Sequence, residues 1–275
     1  MAQALVRYLC AQRTEIEGVE LPLVAGVFAI FGHGNVAGLG EALHGARAEL
    51  PTFRAHNEQA MAHAAIAFAK AHRRRRILAC TTSIGPGATN MVTAAAVAHV
   101  NRLPVLLLPG DVFAGRQPDP VLQQVEDFGD PTITANDCFR PVSRYWDRIT
   151  RPEQLMASLP AAIHVLTDPA SCGPVTLALP QDVQTEVAEF PESFFRPRVH
   201  RLRRPEPDAG QLAAAAERLL RSRARSSSPV EASRTRSPPT ISGDSSSATT
   251  CRWPRPRPAK ARCPGIIRAR WARSA

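Results

Sequence analysis

From Val24 to Phe31 the chain runs eight residues without a polar side chain, and glycines follow at once at positions 32 and 34. A strand with one wet face alternates apolar and polar residues. An unbroken apolar run is instead expected of a parallel strand covered on both faces. The arrangement recurs along the chain. A helical stretch follows from about Val36 to Arg47. Thr52–His56 then reads as a short strand, and Glu58–His72 as an Ala-rich helix. Ile77–Thr82 is the next strand, turned by Gly85-Pro86-Gly87 into a helix reaching His99. Pro104–Pro109 and Pro174–Leu179 are further strands. This alternation predicts an α/β fold, a parallel sheet flanked by helices. Such sheets place ligands beyond the carboxyl ends of their strands, where these Gly-rich turns lie.

The 275 residues suffice for one large or two small domains. No apolar run approaches the roughly 20 residues of a membrane span, and Met1–Leu9 reads as an amphipathic helix, not a secretory signal. The cysteines at 10, 80, 138, 172, 251 and 263 form no CxxC pair or zinc-like spacing, as expected of free thiols in a reducing cytoplasm. The net charge of +10 invites a nucleic-acid reading until it is located. Residues 221–275 hold 13 Lys and Arg against 2 acidic residues, leaving 21 basic and 22 acidic residues in a nearly neutral body. From Ser226 onward there is no Leu or Phe, but much Arg, Ser and Pro. That composition lacks both apolar periodicities and predicts a disordered basic tail. The expected organisation is a ligand-binding domain over 1–190, a linker and the start of another domain over 191–220, and the tail over 221–275. A nucleic-acid binder using that tail is disfavoured, since it has no interleaved aromatics or recognised binding module.

Phe31-Gly-His-Gly-Asn-Val-Ala37 fits the dinucleotide pattern G-x-G-x-x-A, but the acidic residue expected about 20 positions on is missing, with Thr52–His56 standing there. A glycine turn for another ligand is the better reading. Glu58 follows the second strand and opens a helix. It is either a first-turn charge favoured by the helix dipole or a functional acid. His63 and His72 share that helix without a third ligand and read as surface or packing residues. Thr81-Thr-Ser-Ile-Gly-Pro-Gly-Ala-Thr-Asn90 is neither a nucleophile elbow, since Thr81 stands two positions before Ser83, nor a P-loop, since no Lys follows the glycines. A tight turn presenting backbone N–H groups suits it better.

Phe53–Ala62, Gly85–Asn90, Asn101–Asp111 and Gly173–Pro180 stand in the order and spacing of the thiamine-diphosphate enzymes that resemble acetolactate synthase. Phe31–Gly40 and Pro118–Glu126 resemble, within that group, the trihydroxycyclohexane-1,2-dione hydrolases of inositol catabolism. The likeness covers residues 1 to about 220, the first third of such an enzyme, whose members usually carry a few residues before the helix that starts here at Met1. It implies a pyrimidine-binding domain, thiamine diphosphate as cofactor, a small-molecule substrate and a homo-oligomer. It also implies that Glu58 is the cofactor-activating glutamate, sharing a proton with pyrimidine N1′ so that the thiazolium C2 proton can be lost. By the same match Gly34, Gly85, Asn90 and Gln123 bind cofactor, with Gln123 near the thiazolium, and His33 and Asn35 lie on the substrate side. The family holds its diphosphate and Mg²⁺ through Gly-Asp-Gly…Asn in a C-terminal domain, usually of another subunit. Here Gly110-Asp111 is followed by Val112, so the chain carries half a site. A carboligase of the acetolactate-synthase kind is the alternative activity.

The likeness stops abruptly near Leu219–Arg221, and the tail reads as the right DNA in the wrong frame. Cys263-Pro-Gly-Ile-Ile267 can be encoded TGC CCT GGG ATC ATC. Reading from the last base of each codon gives Pro-Trp-Asp-His. Carried back to Pro254 in the same phase, permitted codons spell Glu-Thr-Gln-Ala-Gly-Lys-Gly-Ala-Leu-Pro-Trp-Asp-His, which resembles the family's central domain. Arg225–Ser233 allow Leu-Ile-Val-Ala-Gly-Gly-Gly-Val in that phase. The first two bases of most codons are fixed, so a long match in one phase is hard to reach by chance.

Overall fold

The computed structural model describes residues 1–116, 122, 125, 127, 129–202 and 206–221. The expected tail, apart from Arg221, therefore lies outside the described residues, as does Gln123. Met1–Glu206 form one compact unit, and Pro207 opens a second.

The first unit is built on a six-stranded sheet. Its strands are β3 (Val24–Ala29), β4 (Thr52–Arg54), β5 (Ile77–Thr82), β6 (Val105–Asp111), β7 (Tyr145–Arg148) and β8 (Pro174–Pro180), in the order β4-β3-β5-β6-β8-β7. Every neighbouring pair is parallel. All residues of β5, β6 and β8 are buried, as their mostly apolar sequences lead one to expect. Side chains alternate across a strand, and the core divides accordingly. Ile77, Ala79, Leu106, Leu108, Val175 and Leu177 join the cluster containing α1 (Ala2–Cys10) and α6 (Leu155–Thr167). Leu78, Cys80, Val105 and Leu107 join the opposite one, with Met61, Ala62, Ala65 and Ile66 of α3 (Glu58–Ala71) and Ala94, Ala95 and Ala98 of α5 (Val92–Asn101). The alanines of α3 and α5 thus serve close packing on the sheet.

Three features differ from the sequence reading. The helix expected over Val36–Arg47 opens as a π-turn at Val36–Gly40 and becomes α2 only at Glu41–Gly45. The helix expected from Gly85 to His99 is two pieces, α4 (Pro86–Thr89) and α5, parted at Asn90 and Met91. A second sheet also forms, with β1 (Gln12–Ile16) antiparallel to β2 (Val19–Pro22) and parallel to β9 (Arg198–His200). Glu17 and Gly18, both at positive φ, make the tight turn of that hairpin. Because β9 pairs with β1, the compact unit runs past residue 190 to Glu206. The second unit contributes one described helix, α7 (Ala209–Arg221), with no buried residue. Among the described residues no helix is long and apolar enough to cross a membrane, and Cys10, Cys80 and Cys138 are free thiols. Burial pushes the Cys10 thiol up to about 11 and raises Cys80 further, so neither is a ready thiolate.

Candidate active site at the carboxyl edge of the sheet

The loops leaving β3, β4, β5, β6 and β8 share one edge of the sheet. Asn57, after β4, is the N-cap of α3, its Oδ1 accepting from the Ala60 N–H at 2.8 Å. The cap sets Glu58 as the first helical residue, so its carboxylate sits in the favoured first turn. The Glu58 side chain is not simply solvated: Asn90 Nδ2 donates to its Oε2 at 2.7 Å. Asn90 reaches it from the break between α4 and α5. That explains why the Gly85–Asn90 turn is followed by a fresh helix start. Gly85 has φ +63° and ψ −123°, a conformation closed to side chains with a Cβ, and Pro86 then occupies the first helical position. A methyl at position 87 would lie 3.5 Å from Glu58 Oε1, in the space the glycine leaves open. One carboxylate oxygen is therefore engaged by Asn90, and the other faces a cleared position.

The loop Gly32-His33-Gly34-Asn35 lies against the next strand end. A Cβ at Gly34 would come within 2.4 Å of Ile84 Cγ2 and 2.8 Å of the Ile84 nitrogen. The glycine spacing here is a requirement of close backbone approach. Asn35, expected on the substrate side, is turned inward. It is 2 % exposed, its Oδ1 accepts from Gly32 N–H at 2.9 Å, and its Nδ2 donates to Ile30 O and to Thr81 Oγ1. These three hydrogen bonds tie its side chain to the loop and so shape the turn. His33 behaves oppositely, since its buried Nε2 has no hydrogen-bond partner. The structure thus brings Glu58 and Asn90 into contact, and sets Gly34 on the Ser83-Ile84 turn just before Gly85. Among the other histidines, His72 stacks on Phe68 with centroids 4.0 Å apart and His63 lies 3.5 Å from Gln59, both on α3. No group of three or more metal-ligating side chains occurs among the described residues.

The other half of the edge is ionic. Arg148 at the end of β7 donates to Asp111 Oδ2 at 2.8 Å, to Thr134 Oγ1 at 2.7 Å, to Asp137 Oδ2 at 3.0 Å and to Thr132 O at 3.3 Å. Burial works against the guanidinium charge, but Asp111 and Asp137 outweigh it and hold its pKa above the usual arginine value. Burial likewise opposes ionisation of Asp137. The Thr134 N–H, Arg140 and Arg148 prevail, and its pKa lies below the usual carboxylate value. Sequence reasoning passed over this hub, and also the turn after β8. There Asp182 accepts from the Ala114 and Gly115 N–H groups, and Gln184 is 3 % exposed. The available signal was the polar run Gln181-Asp-Val-Gln184 directly after a buried strand.

These features sit within a recognisable frame. Residues 23–130 match the family model "Thiamine pyrophosphate enzyme, N-terminal TPP binding domain". The chain is 56 % identical over 220 residues to a 3D-(3,5/4)-trihydroxycyclohexane-1,2-dione hydrolase of Clostridium tetani, covering 80 % of this chain and 34 % of that protein. It is 57 % identical over 222 residues to the protein of that name in Geobacillus thermodenitrificans, covering 81 % and 35 %. A Bacillus cereus protein of the same name gives 56 % over 220 residues. The chain spans about a third of the length of these relatives. With its parallel sheet, the chain is thus similar over residues 23–130 to the N-terminal TPP binding domain of thiamine pyrophosphate enzymes.

Proposed function

We propose that this chain is the pyrimidine-binding part of a thiamine-diphosphate-dependent C–C bond hydrolase that opens the ring of trihydroxycyclohexane-1,2-dione in inositol catabolism. The observation that carries the reading is Glu58, with Oε2 engaged by Asn90 and Oε1 facing the space left by Gly87. Bound thiamine diphosphate supplies a carbon nucleophile able to add to a ring ketone. Glu58 holds and releases a proton at its free oxygen, and Asn90 keeps the carboxylate turned toward the ligand. Gly34 and Gly85 shape the backbone around the cofactor, and His33 faces the substrate. Asn35 serves this site as a residue that positions the His33 loop. Gln123 belongs near the reacting end of the cofactor by its place in the family pattern. Diphosphate and Mg²⁺ are assigned to a Gly-Asp-Gly-bearing domain of the complete enzyme, a cytoplasmic homo-oligomer in which another subunit completes the site.

Residues after about Leu220 are proposed to be translated out of frame. The alternative-phase reading of Pro254–Ile267 supports this, as does a likeness to relatives that takes in 220 of 275 residues. Sequencing the gene tests it: family-like codons in one alternative phase, with the shift between about Arg218 and Arg225, are expected. Their absence there rejects the proposal. The frame-restored enzyme should then open the cyclic dione and leave pyruvate unconverted. Carboligation of pyruvate without dione opening would favour the acetolactate-synthase-like activity instead.

A further inference from the structure

Resting on the substrate-side placement of His33, we infer that Gln184 is a positioning residue that fixes the Gly32-His33-Gly34 loop from the far side of the sheet edge. Three hydrogen bonds spend its whole amide. Nε2 donates to Gly34 O at 2.7 Å and to Leu179 O at 2.9 Å, and Oε1 accepts from the Leu39 N–H at 3.1 Å. Leu179 lies in β8, whereas Gly34 precedes the π-turn after β3 and Leu39 lies within it. One buried side chain thus ties the end of β8 to both sides of a segment 145 to 150 residues earlier in the chain.

The need for such a clamp follows from the loop's own composition. His33 stands between two glycines, whose backbone freedom would let the imidazole wander. The glycines cannot be replaced by stiffer residues, because Gly34 lies directly on Ile84. Their polar backbone groups are therefore held by side chains: Gly32 N–H by Asn35 Oδ1, Gly34 N–H by Ser83 Oγ at 3.3 Å, and Gly34 O by Gln184. Two of these three partners come from the β3 and β5 side; Gln184 alone ties the loop to β8. The Nε2 of His33 remains without a partner, so nothing in the described protein orients the ring by its own hydrogen bond. Its placement must come through the backbone that Gln184 helps to fix. An error of about 1 Å in a group facing substrate costs on the order of 10²-fold in rate, so such a clamp has leverage on turnover.

The test pairs a local reading with a functional one. In the 275-residue chain, Gln184→Met keeps the shape and removes all three hydrogen bonds. Hydrogen exchange of the Leu39 amide should accelerate by roughly tenfold, while the Ala60 amide, capped by Asn57, stays unchanged. In the frame-restored enzyme the same substitution should lower kcat/KM on the cyclic dione by about 10²-fold. Proton exchange at C2 of the bound cofactor, the step assigned to Glu58, should remain at its original rate. Unchanged turnover in Gln184→Met overturns the inference. So does a parallel loss of turnover and C2 exchange, which would mark general damage to the fold. Gly38→Ala gives a second approach should Gln184→Met fold poorly. Its Cβ would come within 2.4 Å of Gln184 Cβ, displacing the clamp without deleting its polar atoms, and the same split is expected. His33→Ala separates the two layers of the claim, since full turnover there rejects the substrate-side reading on which the inference rests.

Discussion

The two halves of the carboxyl edge are held by different physics. At β3, β4 and β5 the loops are neutral apart from Glu58. They are fitted by glycines that let backbone touch backbone, and tied by side-chain hydrogen bonds of Asn35, Ser83 and Asn90. At β6 and β7 a half-buried guanidinium, 17 % exposed, is locked between Asp111, itself 2 % exposed, and Asp137. The contrast separates two tasks. Where the proposed ligand would approach, the chain clears volume and leaves polar atoms such as His33 Nε2 and Glu58 Oε1 unspent. Where the connection after β6 must be brought back to the sheet, it spends every available donor.

Removing one member of the charged half should have the largest effect on stability. Arg148→Met strands Asp111 without a counter-charge at a buried position, a loss of about 3–5 kcal/mol in urea unfolding. A change within experimental error would mean that the ionic hub is not what secures β7 and the 132–137 segment. The glycine half should break differently. Gly34→Ala forces a methyl against the Ile84 backbone and side chain, and overpacking of this kind costs roughly 1–3 kcal/mol. Its stability loss should therefore be smaller than that of Arg148→Met, while cofactor-dependent turnover of the frame-restored enzyme falls further. The reverse ranking of turnover would place the functional edge at the ionic half.

How much of this was legible in the sequence follows the same division. Strands β3, β5, β6 and β8 announce themselves because apolar residues dominate them on both faces, and the few polar ones, Thr81, Thr82, Asp111 and Thr176, are buried as well. Strands β1, β2 and β9 carry Arg13, Glu15, Glu20 and Arg198, and β7 reads Tyr-Trp-Asp-Arg with every residue only half-buried, so neither apolar period marks them. At the site, the Gly85 turn stood out by residue type, whereas Glu58 was singled out only by the family likeness, its position fitting a first-turn charge equally well. The inward turn of Asn35 did not, since a short polar residue after a strand looks the same whether it meets a ligand or caps its own loop. Arg148 was invisible for a plainer reason, and Gln184 showed only as part of a polar stretch after β8: their partners lie far away in the chain.

Acid should act on the charged half and leave the glycine half alone. Asp137 has its pKa held below the usual 3.8, so it contributes stability that is complete above that value and is lost as pH falls through the lowered one. His200, in the small sheet, is depressed from the usual 6.5 by burial and then by Arg198. Its neutral form is the folded one, and stability is lost as pH drops below 6.5 toward its lowered value. Urea midpoints against pH should thus show two separate declines. Arg148→Met should weaken only the lower decline, and His200→Gln only the upper. A single shared decline, altered by neither variant, would assign the acid sensitivity elsewhere.

The most direct measurement concerns Glu58. In the frame-restored enzyme, Glu58→Gln keeps the side chain's shape and its contact with Asn90 but removes the acidic proton. Proton–deuterium exchange at C2 of bound thiamine diphosphate should then slow by ~10²–10⁴-fold, with cofactor still bound. Exchange near the original rate in that variant, with cofactor binding intact, would contradict the assignment of this edge as the pyrimidine half of the site.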